Sequence, residues 1–240
     1  MDISIVVPAH NEGCLAYPTI QSLFRAIWFA EQVGLKCEII VVLDSPNEST
    51  TSFFSRFSKD IRLVNGEFAD PGLSRNYGVQ MATGNFVFFL DADDLFGQKW
   101  LLKAHQYLYT CQEESIAHTE YCVVFDNYNS FWHKKSSTDP GFKIEELMEN
   151  NCWDVGCGAR RDLLLKYPYQ PTGRNSGFGF EDWHLYCETL ADRIEHHVVP
   201  ETVYFARRKR NGSQLAASIA AHHLLRPTKL FDRNNFKRFF

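Results

Sequence analysis

The stretch Asn85-Phe86-Val87-Phe88-Phe89-Leu90-Asp91-Ala92-Asp93-Asp94 runs from unbroken hydrophobicity straight into three carboxylates. Short apolar runs of this kind are strands buried on both faces of a sheet. Open α/β sheets bind ligands outside the carboxyl ends of their strands, so this strand delivers acids to the rim where a ligand sits. Two readings are open at this point. Either the acids serve a divalent metal and phosphate, or Asp93 and Asp94 cap a following helix that starts near Gly97.

Upstream, the same pattern repeats. Residues 3 to 7 form an apolar strand closed by Pro8 and a loop, Ala9 to Gly13. Pro18 suits a first helical turn, and Ile20, Leu23, Phe24 and Ile27 recur at helical spacing up to Gly34. Residues 38 to 43 form a second strand ending at Asp44. Ser45-Pro46-Asn47-Glu48 then has capping-box spacing with Pro at the first helical position, and Phe53, Phe54 and Phe57 mark a buried helix face. Residues 61 to 64 are a brief third strand. A helix opens at Gly72-Leu73-Ser74-Arg75-Asn76 and ends near Gly84, before the fourth strand. Strand and helix alternating on short connections predict a mostly parallel sheet covered by helices.

No Gly-x-Gly-x-x-Gly follows the first strand and no P-loop occurs anywhere, which argues against a dinucleotide fold or a P-loop ATPase. A diphosphate would have to be neutralised by a metal or by cationic side chains, and hard carboxylate oxygens suit Mg²⁺ or Mn²⁺. A net charge of -4 gives no support to general nucleic-acid binding. The seven cysteines include no Cys-x-x-Cys and fit reduced, mostly buried thiols.

Four segments together resemble the successive signatures of family 2 glycosyltransferases of GT-A fold. They are Val6 to Glu12, Val41 to Ser45, Gly72 to Asn76 with Gly84, and Phe89 to Asp94. The resemblance implies an α/β, Rossmann-like GT-A fold, with a mostly parallel central sheet flanked by helices and a C-terminal helical extension. It implies that Pro8 and Glu12 border the nucleoside, that Asp44 bonds the base, and that Arg75 and Asn76 line the nucleotide pocket. Asp91 would face the ribose or donor sugar, and Asp93, with Asp91, would hold Mn²⁺ or Mg²⁺. Leu43 departs from the pattern, since many relatives carry an acid there, and puts one nucleotide contact in doubt. For Asp44 a helix-entry carboxylate and for Arg75 a solvated helix residue remain the alternatives.

In the second half, Leu101, Ala104, His105 and Leu108 predict a helix over 98–110, with His105 a core residue. Residues 116 to 125 contain a strand, and 126 to 141 read as an irregular, aromatic connection. Asn151 to Ala159 has small residues where backbone passes close to something. A glycine-rich approach then brings Glu181 and Asp182 to the start of a helix carrying Leu185, Tyr186 and Leu190. Adjacent acids there often serve only the helix dipole. This pair resembles the family's Glu-Asp motif, however, whose aspartate is the base that takes the acceptor proton. Trp183 could stack on a sugar or pack in the core. Tyr204 to Ser213 resembles the family's diphosphate loop: Arg208 matches its arginine, Arg210 stands where relatives often carry histidine, and Ser213 matches its serine. The rival reading is a basic run on a solvated face.

The expected organisation is a GT-A domain over 1–213, with a nucleotide-binding half over 1–97 and an acceptor-side half over 98–213, followed by a basic amphipathic extension over 214–240. The expected activity is inverting, metal-dependent transfer of a sugar from a nucleoside-diphosphate donor, a UDP-sugar, to a saccharide or lipid-linked acceptor, as in bacterial surface polysaccharide synthesis. A non-catalytic nucleotide-sugar-binding protein and a sugar nucleotidyltransferase are the alternatives. The latter would need a glycine-rich basic loop where His10-Asn11-Glu12 stands. Without a signal peptide or a long apolar span, the expected location is cytoplasmic. The extension would either dock on its own domain or touch an anionic membrane at the inner face of the plasma membrane.

Overall fold

The structure, a computed structural model, describes residues 1–172, 176–210 and 214–237. The chain begins with β1 (Ile3–Ala9), a 3-10 turn (Gly13–Ala16), α1 (Tyr17–Glu31), β2 (Cys37–Asp44), α2 (Glu48–Ser55), β3 (Arg62–Gly66), α3 (Pro71–Met81) and β4 (Phe86–Phe89). It continues with β5 (Leu95–Phe96), α4 (Trp100–Thr110), β6 (Ser115–Asp126), β7 (Ser130–His133) and a 3-10 turn (Ile144–Met148). The final elements are β8 (Cys157–Arg160), α5 (Arg161–Lys166), β9 (Phe178–Gly179), α6 (Glu181–Ala191), β10 (Glu195–Arg208), α7 (Gln214–Ala220), β11 (Leu224–Leu225) and α8 (Arg233–Phe236).

Nine strands among the described residues form one sheet in the order β3-β2-β1-β4-β8-β6-β10-β5, with β7 also paired to β6. The β3-β2-β1-β4 block is parallel, β8 is antiparallel to both neighbours, and β6 and β10 resume the parallel direction. Side chains alternate as the pleat requires. Ile3, Ile5, Val7, Phe86 and Phe88 join the core beneath α1 and α4, whereas Val6, Val87 and Phe89 join the core beneath α3, α5 and α6. Gly78 lets α3 close on β1, since a Cβ there would lie 2.2 Å from Val6 Cγ1.

Three local expectations change. Ser45 does not cap α2: it takes a left-handed φ of 46° and donates its N–H to Gly66 O at 2.9 Å. Asn47 caps instead, its side chain accepting from Thr50 N at 2.9 Å. Asp94 caps no helix, for reasons given below, and α4 begins at Trp100 without a side-chain cap. The connection expected over 126–141 contains β7, which places Trp132 beside Cys122 of β6. His105 is buried and packs edge-on against Phe86, as a core histidine does.

The C-terminal extension carries α7 and α8, as expected, and docks on the domain. β11 pairs parallel with β9, Lys229 N donates to Glu188 Oε1 at 2.6 Å, and Leu230 is fully buried. Among the described residues no helix is long and apolar enough to cross a membrane. The seven cysteines are free thiols. Because Leu230 seats the extension, Leu230→Ala should cost about 2 kcal/mol or more of local stability. Hydrogen exchange read by mass spectrometry should show residues 224–237 exchanging faster while β1 and β4 stay protected; unchanged exchange there would refute the docking role.

Candidate active site

Parallel β1, β2 and β4, followed by β10 running the same way, bring their carboxyl ends to one edge of the sheet. There Pro8, His10 and Glu12, then Asp44, then Asp91 to Asp94, then Arg207 to Lys209 enclose a cavity of about 340 Å³. A second cavity of about 290 Å³ lies beside it, lined by Arg75, Trp132, Asn151, Trp153, Asp154, Glu181, Asp182 and Trp183. Asp91, Asp94, Arg208 and Leu215 line both.

The two cavities are joined electrostatically by Arg75. Its guanidinium, almost wholly buried, reaches Asp91 Oδ1 at 2.6 Å and Glu181 Oε1 at 2.9 Å, and lies over the Tyr169 ring. The solvated alternative for Arg75 is thereby removed. Glu181, expected to share in catalysis, is placed as the second partner of Arg75. Asn76 is not at the cavities: its amide donates to Tyr169 O and accepts from Tyr169 N, both at 2.9 Å, and so locks α3 to the segment before α6.

Asp44 borders the first cavity, but its carboxylate is occupied. Oδ1 accepts from Phe68 N at 2.7 Å and Ala69 N at 2.9 Å, while Oδ2 accepts from Asp70 N at 3.1 Å and Ser74 Oγ at 2.8 Å. Burial alone would raise its pKa, yet these bonds outweigh it and hold the carboxyl below its ordinary value. Asp44 thereby shapes the cavity wall and holds the approach to α3, rather than capping the helix that follows β2. His10 Nδ1 meets Asp44 O at 2.6 Å, and Glu12 Oε2 accepts from His10 N at 2.7 Å. Burial, reinforced by the Asp93 charge, raises the Glu12 pKa.

The three acids after β4 diverge. Asp94 is buried and accepts from Tyr204 Oη at 2.7 Å and Arg207 N at 2.6 Å, tying the rim to β10. Burial and the charges of Asp93 and Asp91 push its carboxyl well above the usual range. Asp93 turns into the first cavity and meets Lys209 Nζ at 2.7 Å. Among the described residues no group of three or more side chains forms a ready-made metal cage. Asp91 and Asp93 instead suit Mg²⁺ or Mn²⁺ bound through one or two carboxylates plus substrate phosphates.

Asp182 faces the second cavity. The turn into α6 passes through Phe180 at a left-handed φ of 61°, a sparsely populated conformation that aims the next two residues. Asn151 Nδ2 donates to Asp182 Oδ2 at 3.1 Å and Trp183 N donates to Oδ1 at 2.9 Å. Burial and then the Glu181 charge raise the Asp182 pKa to about 7, with Arg75 opposing. Trp183 reconciles its two readings: its Nε1 anchors to Leu147 O at 2.9 Å while its ring lines the cavity.

Of the basic run, Arg208 lies at the junction of the cavities. Arg210 is exposed and turns aside, its Nε 3.3 Å from Asn127 Oδ1. Ser213 lies outside the described residues. Sequence reasoning missed Lys209 and Asn151. The first was visible only as part of a basic run, and the second had no signal beyond its neighbourhood of small residues.

Residues 4–166 match the sequence profile of glycosyl transferase family 2. The minor teichoic acid biosynthesis protein GgaA of Bacillus subtilis is 28% identical over 224 residues, 88% of this chain and 48% of that protein. The poly(ribitol-phosphate) beta-glucosyltransferase of Bacillus spizizenii is 30% identical over 114 residues, 45% of this chain and 17% of that protein. The chain thus spans half or less of these curated relatives. Among solved structures, S. aureus TarS 1-349 in complex with UDP-GlcNAc superposes with a TM-score of 0.65 at 17% identity, covering 90% of this chain and 61% of that one. Mannosyltransferase PcManGT from Pyrobaculum calidifontis, in complex with GDP-Man and Mn²⁺, gives 0.65 at 18% identity, covering 92% and 62%. At these identities the likeness establishes the fold, which is GT-A.

The raised Asp182 pKa has a sign that can be read in stability. The folded protein keeps a proton that the unfolded chain releases between the ordinary value of 3.8 and about 7, so this residue's contribution falls as pH rises through that window. Asp182→Asn should therefore have a higher urea midpoint than the parent at pH 8, with the gap narrowing at pH 5; equal gaps would show that Asp182 ionises normally.

Proposed function

The chain belongs to glycosyl transferase family 2, and from that premise we propose that it moves a sugar from a nucleoside-diphosphate donor to an acceptor hydroxyl with inversion. The observation that carries this reading is the pair of joined cavities, with Asp182 in the second only and Arg208 at their junction. The donor occupies the first cavity, its anomeric carbon reaching the Asp91 boundary. The acceptor enters the second, between Trp132 and Trp183, whose rings suit the apolar face of a sugar.

The acceptor oxygen attacks the anomeric carbon as the bond to the diphosphate breaks. The diphosphate leaves with the bonding electrons, and Asp182 takes the acceptor proton. A pKa near the working pH suits a group that must be ionised before attack yet basic enough to accept. Arg208 faces the charge that grows on the leaving group, where a preorganised cation acts most strongly. A divalent cation held by Asp93 and Asp91 would supply further neutralisation of that charge. A UDP-sugar is favoured as donor by the fold neighbour solved with UDP-GlcNAc. A saccharide or polyol acceptor of a cell-surface polymer, free or lipid-linked, is favoured by the relatives named for teichoic acid biosynthesis and poly(ribitol-phosphate) glucosylation.

A panel of UDP- and GDP-sugars with Mn²⁺ or Mg²⁺, scored by released nucleoside diphosphate, tests this directly. One donor should turn over, with a rate that rises through about pH 7 as Asp182 ionises and then levels. Asp182→Asn should lose about a hundredfold or more in turnover while UDP binding, read by thermal shift, persists. Near-parental turnover in that variant would remove Asp182 from the chemistry.

A further inference from the structure

Lys209 is the first residue beyond β10, and its ammonium is seated among carboxylates. Nζ lies 2.7 Å from Asp93 Oδ2, with both side chains largely shielded from solvent. Burial works against the charged amine, but the charges of Asp93, Glu12 and Asp91 outweigh it and raise its pKa. Asp91 already has Arg75 as a partner at 2.6 Å. Asp93 has Lys209 as its counter-charge, Glu12 adds its charge to the surroundings of the same amine, and Lys209 lines the same cavity wall as Arg208.

This places a monovalent cation against the carboxylate that would hold a divalent one. A metal entering alone must take Asp93 from Lys209 and leave the ammonium close to a doubly charged ion. A diphosphate arriving with the metal removes that penalty, because it offers the amine new oxygens. Lysine suits such an exchange: it is a compact point charge on a flexible stem and binds phosphate as such.

We propose that Lys209 is a tethered counter-ion, which neutralises Asp93 in the donor-free protein and moves to the diphosphate when donor and metal bind together. Metal binding thereby becomes conditional on the nucleotide. The proposal rests on the donor reading above, and by linkage the conditionality is reciprocal: the metal must strengthen nucleotide binding by the same factor.

Calorimetric titration of the full chain with MnCl₂, with and without saturating UDP, provides the test. The parent protein should bind Mn²⁺ about tenfold or more tightly with UDP present, within the usual range of such couplings. Lys209→Met should raise the Mn²⁺ affinity of the UDP-free protein by about tenfold and shrink the coupling correspondingly. Adding Asp93→Asn should abolish that gain, and Lys209→Arg should restore the parental pattern. A purely structural ion pair would lower thermal stability in Lys209→Met and leave UDP-free Mn²⁺ affinity unchanged; that result overturns the proposal while parental binding of UDP with Mn²⁺ keeps the donor reading intact. Failure of the parent to bind UDP or GDP with any divalent metal would overturn both.

Discussion

The buried guanidinium of Arg75 is the interaction on which the rest of the site depends. It joins Asp91, at the end of a central strand, to Glu181, at the start of a helix more than a hundred residues later. Glu181 is the more dependent of the two, since its side chain is only 10% exposed and breaking a buried pair costs about 3–5 kcal/mol. Arg75 also moderates Asp182, whose carboxyl is raised by burial and by Glu181 and lowered by the arginine. One side chain thus fixes the spacing between the cavities and tempers the basicity of the group that works in the second.

The surrounding polar groups divide into those that build the walls and those that face the interior. Asp44, Asp70, Asp94 and Asn76 spend their hydrogen-bonding capacity on backbone and neighbouring side chains. They hold loops that carry no regular hydrogen-bond ladder of their own, which is how buried irregular backbone is satisfied. Asp93, Lys209, Arg208 and Asp182 turn inward. The division explains why two acids of the same rim are shifted in opposite directions: burial, with the charges of Asp93 and Asp91, raises Asp94, whereas the donors around Asp44 outweigh burial and lower it.

Much of the fold was legible because the strands are apolar on both faces and the helices carry their own stops. Asp91, Asp93, Asp182 and Arg208 could be singled out because their order and residue type resemble the family's motifs, and the fold brings them to the two adjoining cavities. What could not be read were choices settled by geometry alone. Ser45 and Asn47 both suit a helix cap, and the decision fell to the backbone turn leaving β2. The family register singled out Arg208 and Arg210 for the diphosphate, and four consecutive basic residues offered no means of telling that Lys209 pairs with Asp93. The partners of Asp44, from Phe68 to Ser74, come from the approach to the next helix and its first turn and were invisible as donors.

A segment from late in the chain borders this site. Gly179 has no side chain where Ser218 of α7 comes closest, and a Cβ there would lie 2.9 Å from Ser218 Oγ. That close fit seats α7 so that Leu215 borders both cavities at once. Leu215 is itself 42% exposed, so it forms a shared border and not a seal. Whatever shifts α7 therefore reshapes the edge of both cavities in the same event.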